Sequence, residues 1–177
     1  WLLNLIENIL SITRVEEGRK KLKIEPQIVE EVIDEALKHI NRDKRKHNIN
    51  VDIEDEYLMA NMDVRLIIQV IINLVDNAIK YTGQGGNVKV FHEVKGREVI
   101  THVQDNGFGI AKDAQSKLFE KFYRVQTKET ADIQGTGLGL FIVKQLIGKM
   151  KGKIWFVSEK GQGTTFSFSL PSERNKK

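Results

Sequence analysis

Hydrophobic positions along this chain follow two periods, and the switches between them divide it into elements. Over residues 1–14, Trp1, Leu2, Leu5, Ile6, Ile9, Leu10 and Thr13 fall at steps of one, three and four, forming one apolar helical stripe that needs a partner surface. The stripe fits either a core helix of the same domain or the end of a bundle helix. Residues 15–21 are charged around Gly18 and read as a helix stop and linker. A short strand at 22–25 is turned by Pro26, and a helix from about 28 to 41 points Ile28, Val32, Ala36 and Leu37 inward. Residues 50–54 alternate as a strand and 57–62 make a second. Asp63 is placed to cap a long helix that runs to Tyr81. Strands at 87–94 and 98–104 meet through the turn at Lys95 and Gly96.

Regularity stops between residues 105 and 137, where glycines 107, 109, 135 and 137 enclose a charged stretch. A connection of that length inside a domain is usually a lid or binding loop. A helix over 138–150 follows, then a hairpin of 153–158 and 164–170 around Gly161 and Gly163, and a polar tail after Pro171. Helices and hairpins in this order predict an α+β fold, a two-layer sandwich whose mixed, mostly antiparallel sheet carries helices on one face. The chain divides into 1–18 as a helix end with its linker, 19–171 as the domain and 172–177 as tail.

Composition narrows the classes. A length of 177 residues suits one domain with an appendage, and 40% hydrophobic against 29% charged residues excludes a disordered or fibrous chain. Without cysteine there is no disulfide, zinc-thiolate site, iron–sulfur cluster or thiol nucleophile. No run reaches the roughly 18 to 20 apolar residues of a membrane span, no signal peptide precedes the first helix, and a chain opening on Trp1 reads as an excised segment. The net charge of +4 is dispersed, which argues against a nucleic-acid partner. The one basic cluster, Arg42, Lys44, Arg45, Lys46 and His47, falls at a helix end, where cations complement the macrodipole.

Chemistry begins on the helix 63–81. Gln69, Asn73, Asn77 and Lys80 line up at steps of four, four and three, opposite Ile68, Ile71, Ile72, Val75 and Ile79. Asn is a poor helix former, so two of them one turn apart point to a placed function: a neutral oxygen suited to Mg²⁺, with a lysine nearby for phosphate. In DNGFGI, residues 105–110, strand alternation puts Asp105 on the apolar face with Val99 and Val103. A carboxylate buried there needs a donor, and an exocyclic amine would serve. In GTGLGL, residues 135–140, glycines ahead of an apolar helix form a phosphate cradle, while the dinucleotide and P-loop fingerprints both fail.

NLVDNAIKY (73–81), DNGFGI (105–110), FEKF (119–122), GTGLGL (135–140) and GQGTTF (161–166) together resemble the N, G1, F, G2 and G3 boxes of sensor histidine kinases, in that family's order and spacing. The resemblance implies the Bergerat-type ATP-binding sandwich shared with gyrase-like and Hsp90-like ATPases. It implies that Asp105 accepts from the adenine amino group with Thr164 in support, that Asn77 coordinates Mg²⁺ and that Lys80 meets a phosphate oxygen. Tyr81 flanks the nucleotide, as do Gly107, Gly109 and Ile110 of the second box. Gly135, Gly137 and Gly139 let the loop approach the phosphates, with donors from Thr136, Leu138 and Leu140. Residues 111–134 become an ATP lid anchored by Phe119 and Phe122, with Arg124 and Lys128 toward the γ-phosphate. Asn73 stands where ATPase relatives carry a Glu; an amide is a very poor base, so the site holds ATP for transfer more than for hydrolysis.

None of His39, His47, His92 or His102 lies in an H-E-x-R-x-P context, so the resemblance makes this the catalytic half, with the phosphoacceptor histidine on a separate dimerisation domain. His92 and His102 read as ordinary strand residues. The implied partners are that histidine phosphotransfer domain and a response regulator, in a parent that is a homodimer while the bare fragment is monomeric. The implied place is the cytoplasmic side of a membrane-anchored sensor. WLLNLIENILSITR and INLVDNAIKYT look most like the potassium-responsive Kdp-type kinases, and Gln134 departs from the Gly of many relatives. The competing reading is a serine kinase and anti-sigma factor of the same superfold, against which the helical stripe of residues 1–14 speaks.

Overall fold

The computed structural model describes residues 6, 9, 10, 13, 22–40, 47–53 and 57–172. In chain order the elements are β1 (Glu25–Ile28), α1 (Val29–Lys38), β2 (Asn48–Asp52), β3 (Met59–Met62), α2 (Val64–Lys80), β4 (Asn87–Lys95), β5 (Glu98–Asp105), α3 (Lys112–Gln115), α4 (Gly139–Lys149), β6 (Lys153–Glu159) and β7 (Gly163–Pro171). Five strands form a sheet ordered β2-β4-β5-β7-β6, in which β2 runs parallel to β4 and the other pairs are antiparallel. β1 and β3 make a separate antiparallel pair, bridged to the end of β7 through Ala60 and Ser172.

Alternation along the strands sorts the two sheet faces. Val88 and Val90 of β4, Val99 and Val103 of β5, and Phe166, Phe168 and Leu170 of β7 point to one side and are buried. α2 crosses that side between α1 and α4, burying Ile67, Val70, Ile71, Leu74, Val75, Ala78 and Ile79. This is the two-layer arrangement the periodicity predicts. Each fully buried aliphatic here is worth about 2–5 kcal/mol against truncation to Ala.

The boundaries shift where tertiary contacts override local signals. The strand placed at 22–25 runs instead over 25–28 and includes Pro26, opposite Asn61. A proline is tolerated there because both strands of a two-stranded ribbon are edges. The strand placed at 50–54 occupies 48–52 in register with β4. Of the basic cluster, residues 42–46 lie outside the described residues. His47 sits in no helix end; its Nε2 meets Thr82 O at 3.0 Å. Of the apolar stripe over 1–14, Ile6, Ile9, Leu10 and Thr13 are described; all are helical and exposed, and the Thr13 hydroxyl donates to Ile9 O. Among the described residues no helix is long and apolar enough to cross a membrane.

Asp63 caps α2 as expected, accepting from Arg65 N at 3.2 Å, and it does more. Its buried carboxylate also takes the Arg65 guanidinium at 3.1 Å and Lys23 N at 3.0 Å, tying the stretch just ahead of β1 to the helix. Burial pushes its pKa up, but the hydrogen bonds and charge from Arg65 and Lys23 N outweigh that and hold it below the usual value. A lowered carboxylate pKa gives stability that is present above the unfolded value and lost as pH falls through the folded one. Asp63→Ala should therefore cost about 1–2 kcal/mol at neutral pH, and the deficit should shrink in thermal melts run at progressively lower pH.

Candidate functional site

The end of α2, the β5–α3 connection, the stretch from 123 to 137 and the start of α4 enclose a cavity of about 1050 Å³. On α2 the polar stripe faces it: Gln69, Asn73, Asn77 and Lys80 are in the wall. So is Asp76, which the stripe did not single out. Ile68 and Ile72 are not on the opposite face with Ile71, Val75 and Ile79; they are half-buried and line the same cavity. Asn73 Nδ2 donates to Gln69 O at 3.0 Å, which leaves its carbonyl oxygen toward α4, 3.1 Å from where a Cβ on Gly139 would stand.

At the other end of the cavity Asp105 closes the inner face of β5, 7% exposed. Its Oδ1 accepts from Gly107 N at 2.8 Å. Burial raises the carboxyl pKa to about 6, against the lowering effect of hydrogen bonds from the backbone N–H groups of Gly107 and Thr164 and from the Thr82 side chain. Among the described residues no cation adds to these bonds, and they do not offset the burial, so a further neutral donor entering the cavity would stabilise the ionised carboxylate. Gly107 is required by close approach: a Cβ there would lie 2.1 Å from Tyr81 O, which in turn accepts from Phe108 N at 3.0 Å. Tyr81 and Gly107 thus form one rigid corner beside the carboxylate, and Gly109 and Ile110 continue the wall.

Thr164 stands opposite Asp105 in the β5–β7 register, and its support comes from the backbone. Ser158 Oγ donates to Gly163 O at 3.0 Å and so receives the Thr164 hydroxyl at 2.8 Å, which uses that hydroxyl's single proton. Ser158 Oγ also accepts from Ile110 N at 2.8 Å, while Gln115 Nε2 bridges Ile110 O and Ser158 O. Ser158 and Gln115 therefore pin the 107–110 loop to the β6–β7 hairpin. No pattern in the sequence marked either; both read as ordinary polar positions. Lys160, also in the cavity wall, was signalled only by preceding GQGTTF.

The segment 111–134, expected as a lid, holds a short helix, α3. Phe119 is turned inward, its ring 5.9 Å from Phe156 and beneath Lys144, so it anchors the segment without lining the cavity. Phe122 does not anchor: it is 70% exposed with φ of 62°, and its N–H donates to Gly137 O. Gly137, at φ 72°, has no room for a side chain, since a Cβ would lie 2.6 Å from the Phe122 carbonyl carbon. Its role in this structure is to let the lid pack on the loop, as well as to line the cavity. Arg124 lines the cavity, donates Nη2 to Ile133 O, and keeps a buried Nε without a partner. Lys128 is exposed and outside the cavity wall.

The N-terminus of α4 opens into the cavity without a side-chain cap on its first residue and without an acid in its first turn. Leu138 N donates to Thr136 Oγ1 at 3.2 Å, and the N–H groups of the first turn after it are available to an anion. Thr136, Gly139 and Leu140 line the approach. Leu138 is 1% exposed and belongs to the core. Gly135 is outside the wall, and a side chain there would meet nothing closer than Arg124 Nε at 3.8 Å. His92 and His102 lie within β4 and β5. His102 is on the outer sheet face, stacked on Phe91 at 4.5 Å with Nδ1 2.8 Å from Ser167 Oγ.

Residues 62–174 match the family described as histidine kinase-, DNA gyrase B-, and HSP90-like ATPase. The sensor protein KdpD of Clostridium acetobutylicum is 37% identical over 98% of this chain, which corresponds to 19% of that protein. Among solved structures, full-length ShkA in complex with AMPPNP superposes with a TM-score of 0.81 at 27% identity, covering 99% of this chain and 37% of that one. Histidine kinase ThkA in complex with the response regulator protein TrrA gives 0.73 at 27% identity, covering 98% of this chain and 50% of that one. The chain spans less than half of the curated relatives it matches.

A carboxylate whose hydrogen bonds do not offset its burial costs stability. With a folded pKa of about 6 against an unfolded 3.8, Asp105 contributes most below pH 3.8, and that contribution is lost as pH rises through 6. Asp105→Asn should thus leave the empty domain up to about 3 kcal/mol more stable at neutral pH, with the gain vanishing near pH 4; denaturant titrations at the two pH values measure it.

Proposed function

We propose a function from one premise: the chain belongs to the histidine kinase-, DNA gyrase B-, and HSP90-like ATPase family. Within it, this domain is the ATP-binding catalytic part of a two-component sensor histidine kinase. It presents the γ-phosphoryl group of ATP to a histidine on the parent's dimerisation domain, from which a response regulator takes it. The observation that carries this reading is a cavity with a buried carboxylate of raised pKa at one end and an uncapped helix N-terminus beside an Asn-Asn-Lys stripe at the other. One end suits the adenine amino group and the other suits phosphates.

The residues present fit Mg²⁺ as a phosphate-borne ion. Among the described residues no group of three or more His, Cys, Asp or Glu could hold a metal unaided. Asn77 in the wall offers one neutral oxygen, the complement Mg²⁺ needs when phosphates and water supply the rest. When bound, the ion neutralises charge on the phosphate oxygens. The chain's own groups do the positioning: α4 N–H groups and Lys80 would take phosphate oxygens, and Arg124, in the cavity wall, would meet the γ end from the lid. Asn73, held by Gln69 O, orients its carbonyl and withdraws no proton from water. As the phosphorus–nitrogen bond to the imidazole forms, the bond to the bridging oxygen breaks and ADP departs. The parent acts as a homodimer, with this domain on the cytoplasmic side of a membrane-anchored sensor.

Three outcomes test the proposal. Labelled ATP, this chain and a separately made histidine-bearing dimerisation domain of the same parent should yield acid-labile, alkali-stable label on the partner; acid-stable label would indicate a serine kinase instead. Asp105→Asn should abolish binding of an ATP analogue in calorimetry, while the fold persists. Asn77→Ala should reduce affinity with Mg²⁺ by about tenfold or more and leave the weaker metal-free binding nearly unchanged; equal losses would remove the metal role.

A further inference from the structure

The two edges of the five-stranded sheet are built differently. β2, at one edge, alternates Asn48, Asn50 and Asp52 with Ile49 and Val51, and Asp52 is paired with Lys89 at 2.7 Å. Polar and charged side chains of this kind guard an edge against pairing. β6, at the other edge, reads KIWFVSE, with Trp155 36% and Val157 72% exposed on the outer face. On its inner face Ile154 and Phe156 are only half-covered, where the matching residues of β7 are buried.

The backbone of β6 is open over a defined stretch. Lys153 N points toward β7, reaching Ser169 Oγ at 3.3 Å, and Ser158 O points away from it, to Gln115 Nε2 at 3.1 Å. In an antiparallel ladder the N–H and C=O of one residue share a direction and successive residues alternate. Ile154 and Phe156 therefore aim both groups outward, and no described group hydrogen-bonds to them. At Ser158 the edge closes, because Gln115 occupies the carbonyl.

We propose that β6 pairs antiparallel with β6 of a second copy of this chain, with Trp155 on the two-fold axis. Ile154 exchanges both hydrogen bonds with Phe156 of the second copy, and Phe156 does the same with Ile154, giving four bonds that stop short of the blocked Ser158. The occupant is a second copy because the strand complements itself. Antiparallel pairing brings the basic start of KIWFVSE against its acidic end, with Lys153 diagonal to Glu159 and beside the exposed Val157. The two Trp155 rings meet as a close cross-strand pair. The contact is isologous and closes with two copies. It lies on the sheet edge beyond α4 and leaves the cavity free, so it would join catalytic domains of separate kinase dimers. A monomeric isolated domain is then expected only at low concentration.

Sedimentation velocity over a micromolar to millimolar series should show a monomer–dimer equilibrium. Ile154→Pro removes an outward N–H without touching the β6–β7 ladder, and Val157→Lys sets a charge beside Lys153. Each should raise the dimer dissociation constant by about tenfold or more with nucleotide binding unchanged. If the proline variant does not fold, the lysine variant carries the test. The chain has no cysteine, so oxidation reads the register: Trp155→Cys should cross-link to its own copy and Val157→Cys alone should not. A wild-type chain that stays monomeric throughout, a dimer insensitive to Val157→Lys, or equal cross-linking of the two cysteine variants would overturn the proposal.

Discussion

A carboxylate buried at the end of a central strand, whose hydrogen bonds from Gly107, Thr164 and Thr82 do not offset its burial, is the constraint around which this domain is arranged. Asp105 sits at the end of β5, where the inner sheet face meets the cavity, and burial lifts its pKa to about 6. Its surroundings hold that environment in place. Gly107 tucks the following loop under the Tyr81 carbonyl, and the Ser158 hydroxyl ties Ile110, Gly163 and Thr164 into one unit. Stability spent at such a site is usual where a ligand later supplies a further donor.

The second requirement is that one helix serve two masters. α2 buries its aliphatic face against the sheet and against α1 and α4, and so holds its polar stripe at a fixed height over the cavity. The Asp63 cap fixes where the helix starts, and therefore where Asn73, Asn77 and Lys80 stand relative to the N-terminus of α4. Because that frame is rigid, variation is left to the segment from α3 to Gly137, which is held by Phe119, Arg124 and the Phe122–Gly137 contact.

Much of this was legible from residues alone, because period and capping are local signals. The stripe on α2, the cap at Asp63 and the inward aim of Asp105 all follow from spacing. What was not legible depends on contacts distant in sequence. Pro26 became part of a strand because β3 lies beside it, and α3 formed within the segment expected as a lid. Ile68 and Ile72 read as core by hydrophobicity, yet face the cavity because α1 and α4 occupy the other sides of α2. Ser158 and Gln115 join the two loops through bonds that span more than 40 residues, and Phe122 looks like an anchor until its positive φ turns the ring outward.

The central claim is that Asp105 awaits a donor that the nucleotide brings. Carbon-detected NMR titration of its carboxyl, in the empty protein and with an ATP analogue, tests this directly. The account predicts a pKa near 6 when empty and a clear fall on binding, because a hydrogen bond from the adenine amino group favours the ionised form. An ordinary carboxylate pKa in the empty protein, or a value that nucleotide leaves unmoved, would contradict it.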